Sequence, residues 1–134
     1  MSVEIRGSYT GDLKMSLTHG PSGVQLKTAA PVDNQGDGSS FSPTDLVAAA
    51  LGACMVTTMA IVARREGIPF GEAGFRVQKH MRSGPRRIDR LPVVVQMPAG
   101  LTAEQRARLE HVARTCPVAQ SLLPELEVGV EFEY

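Results

Sequence analysis

The sequence predicts an α+β domain with antiparallel strand pairing and its helices segregated from its strands, and three observations predict it. The first third of the chain alternates apolar and polar residues at period two. An uncharged run of 18 residues, Leu46 to Ala63, follows in the middle. The remainder sets further alternating stretches around one amphipathic helical pattern. At 134 residues the chain can bury one continuous core, so a single domain over 1–134 is expected.

The elements follow in order. "VEIRGSY", "LKMSLTH" and "GVQLKTAA" are separated by "TGD" and "GPSG", the punctuation of an antiparallel meander. "APVDNQGDGSSFSP" is a connecting loop long enough to suggest a functional or mobile segment. It leads into a helix start, because Ser42 can cap, Pro43 suits the first helical position, and Asp45 is placed as the acid of a capping box. The apolar run is then a helix, closed by "RREG". Its length reaches the lower edge of a bilayer span, but its Ala, Gly and Thr content is thin for a membrane, and no membrane association is expected. A helix apolar all round is buried all round, which a chain this small achieves with the help of a second subunit.

"GFRVQKHMR" and "RIDRLPVVVQMP" read as two strands of a hairpin joined through "SGPR". "LTAEQRARLEHVART" is an amphipathic helix with Thr102 as cap, Gln105 three positions on, and Leu109, Val112 and Ala113 on its apolar face. Pro117 breaks that helix and can begin another, so "CPVAQSLL" should be a short helix with Cys116 at its N-terminal edge. "ELEVGVEFEY" closes the chain as a strand, giving the order β-β-β-α-β-β-α-α-β.

Composition narrows function. With 14 basic and 14 acidic side chains, 4% aromatic residues and no Trp, neither strong polyanion attraction nor base stacking is supported, and no nucleic-acid partner is expected. The N-terminus "MSVEIRGSYTG" is charged early and lacks an apolar run, so it does not read as a secretory signal, and the cytoplasm is the expected compartment. Two cysteines and three histidines without C-x-x-C or H-x-x-x-H spacing predict no metal site.

The two cysteines carry the chemical question. Cys116 stands at a helix start, where exposed N–H groups favour thiolate, with Arg114 and His111 just upstream. Cys54 sits three turns into the apolar helix beside Ala50, Leu51, Thr57 and Thr58 at three- and four-residue spacing. Burial alone would make it inert, as a free cysteine in an apolar helix commonly is. To act as a nucleophile it needs a cation from another segment or subunit, with Arg6, Arg82, Arg86, Arg87 and Arg90 as the available arginines. Spacing does not reveal whether the two sulfurs meet.

"FSPTDLVAAALGACMVTTMAIVARREGI", followed by "TCPVAQSL" and a terminal strand, resembles the OsmC/Ohr family of osmotically inducible and organic-hydroperoxide-resistance proteins, nearly end to end. It is most similar to the OsmC-like branch, whose members commonly have no assigned role. The resemblance implies an intertwined homodimer, with antiparallel sheets around long central helices. It implies a thiol peroxidase acting on organic hydroperoxides or hydrogen peroxide, without a cofactor. In that scheme Cys54 matches the peroxidatic cysteine and Cys116 the one that resolves its sulfenic acid, recycled by a dithiol that in the family is often lipoyl.

A family Arg holds the peroxidatic sulfur ionised and a family Glu orients that Arg. The Arg carries over to Arg6, the only arginine of the N-terminal region, with Lys14 a weaker substitute because it lacks the planar fork. Where the Glu would stand the chain has Thr44, with Asp45 beside it, and Asp45 also fits the capping box. The other expectation for the same scaffold is a protein that binds a small hydrophobic ligand or senses redox state, without turnover.

Overall fold

Period-two alternation places the first three strands where the sequence predicts them. In the computed structural model, which describes Met1–Tyr134, β1 (Ile5–Gly11), β2 (Lys14–His19) and β3 (Gln25–Ala29) form an antiparallel meander in the order β1-β2-β3. Asp12 and Leu13 join β1 to β2 with φ of 52° and 61°, the doubly left-handed turn whose twist suits a hairpin. Register sets the faces: Gly7 opposes Leu17, Tyr9 opposes Met15 and Leu17 opposes Leu26. Ile5, Tyr9, Met15, Leu17 and Leu26 therefore share one apolar face, on which Ile5 and Tyr9 are each 65% exposed.

The chain divides into two compact units, Met1–Leu46 and Val47–Tyr134. The first holds the meander and the loop after it, which contains a 3-10 turn at Val32–Asn34 and an ion pair of 2.9 Å between Lys14 and Asp37. It ends at the predicted helix start. Ser42 N–H donates to the Asp45 carboxylate at 2.8 Å and Asp45 N–H donates to the Ser42 hydroxyl at 3.1 Å, a reciprocal capping box.

Helix α1 (Pro43–Glu66) runs from that cap into the second unit. It is long and apolar enough to cross a bilayer, with a mean hydropathy of 2.2 over its best window. Its residues Ala48, Leu51, Gly52, Met55, Met59, Val62 and Ala63 are nevertheless buried, at the spacing of one helical face. Burial on every side is not found within one chain: Ala50, Ala53, Thr57 and Ile61 form an exposed stripe.

The expected two-strand hairpin is four strands. β4 (Gly74–Val77) pairs with β7 (Val93–Gln96), and β5 (His80–Arg82) pairs with β6 (Arg87–Arg90) as a separate two-stranded sheet. Pro92, which has no N–H to offer a ladder, stands at the interruption, where its carbonyl accepts from Gln78 N–H at 3.1 Å. A second correction concerns direction. β8 (Val130–Glu133) lies parallel to β7, giving the sheet β4-β7-β8. The connection through helices α2 (Ala103–Arg114) and α3 (Pro117–Ser121) is long enough to return the chain in the same sense, which a tight turn cannot do. The core of this unit is one apolar cluster drawn from α1, β7, α2 and the segments between them, including Leu51, Met55, Met59, Val93, Val95 and Leu109.

Candidate active site

Local chemistry positions each sulfur. Thr102 and Gln105 close the predicted capping box and start α2, and Pro117 stops its continuation. Cys116 becomes the N-cap of α3, with extended φ and ψ of −65° and 157° and Pro117 at the first helical position. Its side chain is 0% exposed within the apolar cluster, while Cys54, half-buried on α1, packs against the same cluster.

The structure brings the two sulfurs together. Val118 N–H, in the first turn of α3, donates to the Cys54 sulfur at 3.5 Å. The Cys54 sulfur also meets the Thr58 hydroxyl at 3.7 Å, one helical turn along α1. Cys54 is close enough to act on the Cys116 thiol, and both cysteines are free. Burial in apolar surroundings pushes the Cys116 thiol up from its ordinary value. The N–H groups of Ala119 and Val118 facing its sulfur oppose that shift, and the neighbouring Cys54 adds to it. Cys116 therefore stays a thiol at neutral pH. Ala119 also lines an open pocket of about 320 Å³ together with Leu122, Leu126, Val128, Val130 and Arg114.

One position that sequence reasoning missed shapes this site. At Gly52, two residues before Cys54, a Cβ would stand 2.2 Å from the Phe75 ring, so only glycine lets that ring close on α1. The sequence signal was a lone Gly inside a helix, which costs about 1 kcal/mol relative to Ala and is retained where packing requires it.

The other candidates have polar partners of their own. Arg6 projects from β1 and pairs with Glu4 at 2.6 Å, both largely exposed. Asp45 serves the α1 capping box. Lys14 pairs with Asp37. Arg82 pairs with Asp89, Arg87 donates to the carbonyls of its own turn, and Arg90 donates to His80. The polar contacts of the Cys54 sulfur described above are thus neutral groups.

The chain was compared with known proteins. The family model described as OsmC-like protein matches residues 36–131. No curated protein matches. Among solved structures, one from Psychrobacter arcticus, provisionally described as an osmotic stress induced and detoxification response protein, is 36% identical. It covers 96% of this chain and 94% of its own, with a TM-score of 0.91. An organic hydroperoxide resistance protein of Legionella pneumophila is 16% identical over 100% of this chain and 98% of its own, with a TM-score of 0.79. Another from Elizabethkingia anophelis is 18% identical over 99% and 96%, with a TM-score of 0.77. The last two show a shared fold.

Proposed function

The chain belongs to the OsmC-like protein family, and from that premise we propose that it is a cytoplasmic, dimeric thiol peroxidase with Cys54 as nucleophile and Cys116 as resolving thiol. The observation that carries this reading is the meeting of the two sulfurs in an apolar cluster, with Val118 N–H aimed at Cys54. The relatives named for organic hydroperoxide resistance supply the substrate class.

The reaction proceeds in three balanced steps. The Cys54 thiolate attacks the terminal oxygen of the hydroperoxide, so an S–O bond forms, the O–O bond breaks, and the departing alkoxide takes a proton from solvent to become an alcohol. The sulfenic acid is then attacked by Cys116, forming the S–S bond and releasing water. Finally an external dithiol, of lipoyl type, exchanges with the disulfide and leaves two protein thiols and its own oxidised ring. Val118 N–H and the Thr58 hydroxyl are the donors that stabilise negative charge on the Cys54 sulfur. The high affinity of Cys116 for its proton keeps it from competing for peroxide.

Arg6 is the activating cation in this proposal, and Asp45 steadies the entry of α1. A second copy covers the exposed Ala50, Ala53, Thr57 and Ile61 stripe and the apolar face of the meander. The test is peroxide consumption with cumene hydroperoxide and dihydrolipoate for the parent, Cys54→Ser and Cys116→Ser. Loss of turnover in the first, and slowed recycling with a trappable Cys54 sulfenic acid in the second, is the expected result. Unchanged peroxide in all three proteins refutes the enzyme and leaves a binding or sensing protein.

A further inference from the structure

The β5–β6 hairpin runs against the electrostatics of its own fold. Over residues 80–90, "HMRSGPRRIDR", four arginines face one aspartate, in a chain whose formal charge is zero. Register makes this worse, because Arg82 stands directly opposite Arg87 and His80 directly opposite Arg90. Like charges directly opposed across an antiparallel pair destabilise it, so the Arg82–Arg87 rung is held at a cost.

Compensation within the hairpin is partial. Asp89 reaches Arg82 at 3.4 Å, with both side chains exposed, an arrangement of little strength. Arg87 donates to the uncharged carbonyls of Ser83 and Pro85, at 3.4 and 2.6 Å. Arg90 reaches His80 Nδ1 at 3.4 Å, which brings it no negative charge. Arg82, Arg86, Arg87 and Arg90 are all exposed. Natural chains break a local rule of this kind chiefly at functional sites.

We infer that the β5–β6 hairpin is a docking site for a carboxylate-rich segment of a partner protein. Guanidinium forks match carboxylates in paired hydrogen bonds, and an acidic ligand relieves the repulsion across the Arg82–Arg87 rung. An acidic peptide fits better than a nucleic acid, because the hairpin has no aromatic residue on which a base could stack. The neutral chain as a whole also offers no long-range attraction to a polymer of that charge density. The inference is independent of the thiol chemistry.

The test uses the full chain and a fluorescein-labelled peptide of eight glutamates, read by fluorescence anisotropy at 50 and 150 mM salt. The parent is expected to bind, more weakly at the higher salt. Arg82→Glu/Arg87→Glu is expected to raise Kd at least tenfold. Arg82→Gln/Arg87→Gln, which keeps side-chain bulk, is expected to raise it less, with circular dichroism confirming that both variants fold. Absence of binding by the parent, binding indifferent to the charge reversal, or tighter binding of a single-stranded oligonucleotide of equal charge would each overturn the inference.

Discussion

Gly52→Ala tests how closely α1 and β4 are joined beside Cys54. An added Cβ would lie 2.2 Å from both Cδ2 and Cε2 of Phe75 and 2.8 Å from its Cγ. Carbon atoms in contact sit about 3.5–4.0 Å apart, so ring and helix must separate by more than about 1 Å. The ring has little room to retreat: Phe75 is paired to Val95, which is fully buried in the core cluster. Overpacking of this kind costs about 1–3 kcal/mol, and a ring fixed on a strand places it in the upper half of that range. Replacing a helical Gly by Ala returns at most about 1 kcal/mol.

The net expectation is a loss of about 1–2 kcal/mol, or roughly 5 °C in Tm for a chain of this size. Urea unfolding followed at 222 nm should show a lower midpoint with an unchanged slope. Phe75→Leu in the same chain should recover part of the loss, giving a coupling energy of about 1 kcal/mol in a double-mutant cycle. A Gly52→Ala protein as stable as the parent, or a cycle with no coupling, would refute the packing argument. Because the helix must shift two residues from Cys54, disulfide closure with Cys116 should slow in the same variant.

Three further outcomes follow from the same contacts. Burial raises the Cys116 thiol, so above the unfolded thiol's ordinary value of about 8.5 the folded state retains a proton that the unfolded state has lost. Stability from this group is full below that pH and falls as pH rises toward the higher folded value. The urea midpoint should therefore drop as pH rises above about 8.5, and Cys116→Ala should flatten the slope. Thr102→Ala removes the oxygen that accepts Gln105 N–H at 3.1 Å and should cost about 1 kcal/mol by the same unfolding assay. Leu26→Glu places a charge on the exposed apolar face of the meander that the proposed second copy covers, and light scattering should then show 14.3 kDa for the variant against twice that mass for the parent.

Legibility in the sequence followed the range of the forces involved. Ser42 with Asp45, Thr102 with Gln105, and Pro117 after Cys116 act within a few residues, and each stands where its spacing predicts. The meander likewise follows from alternation and from turn residues beside it. The hairpin 74–98 was misread as two strands because Pro92 lies inside an otherwise continuous run, and the effect of its missing N–H depends on which neighbour would have accepted it. The direction of β8 was misread because strand alternation is the same in parallel and antiparallel ladders.

By itself the sequence determined the N-terminal meander, the order of the three helices, both helix caps on α1 and α2, and the family, since these rest on patterns carried by neighbouring residues. It also placed one thiol in mid-helix and the other at a helix break. Only the tertiary structure decided that those thiols meet, that a peptide N–H of α3 reaches the Cys54 sulfur, and that Gly52 is the gap into which Phe75 fits. The reason is physical: a contact between residues 62 positions apart depends on the packing of every element between them, which no local pattern encodes.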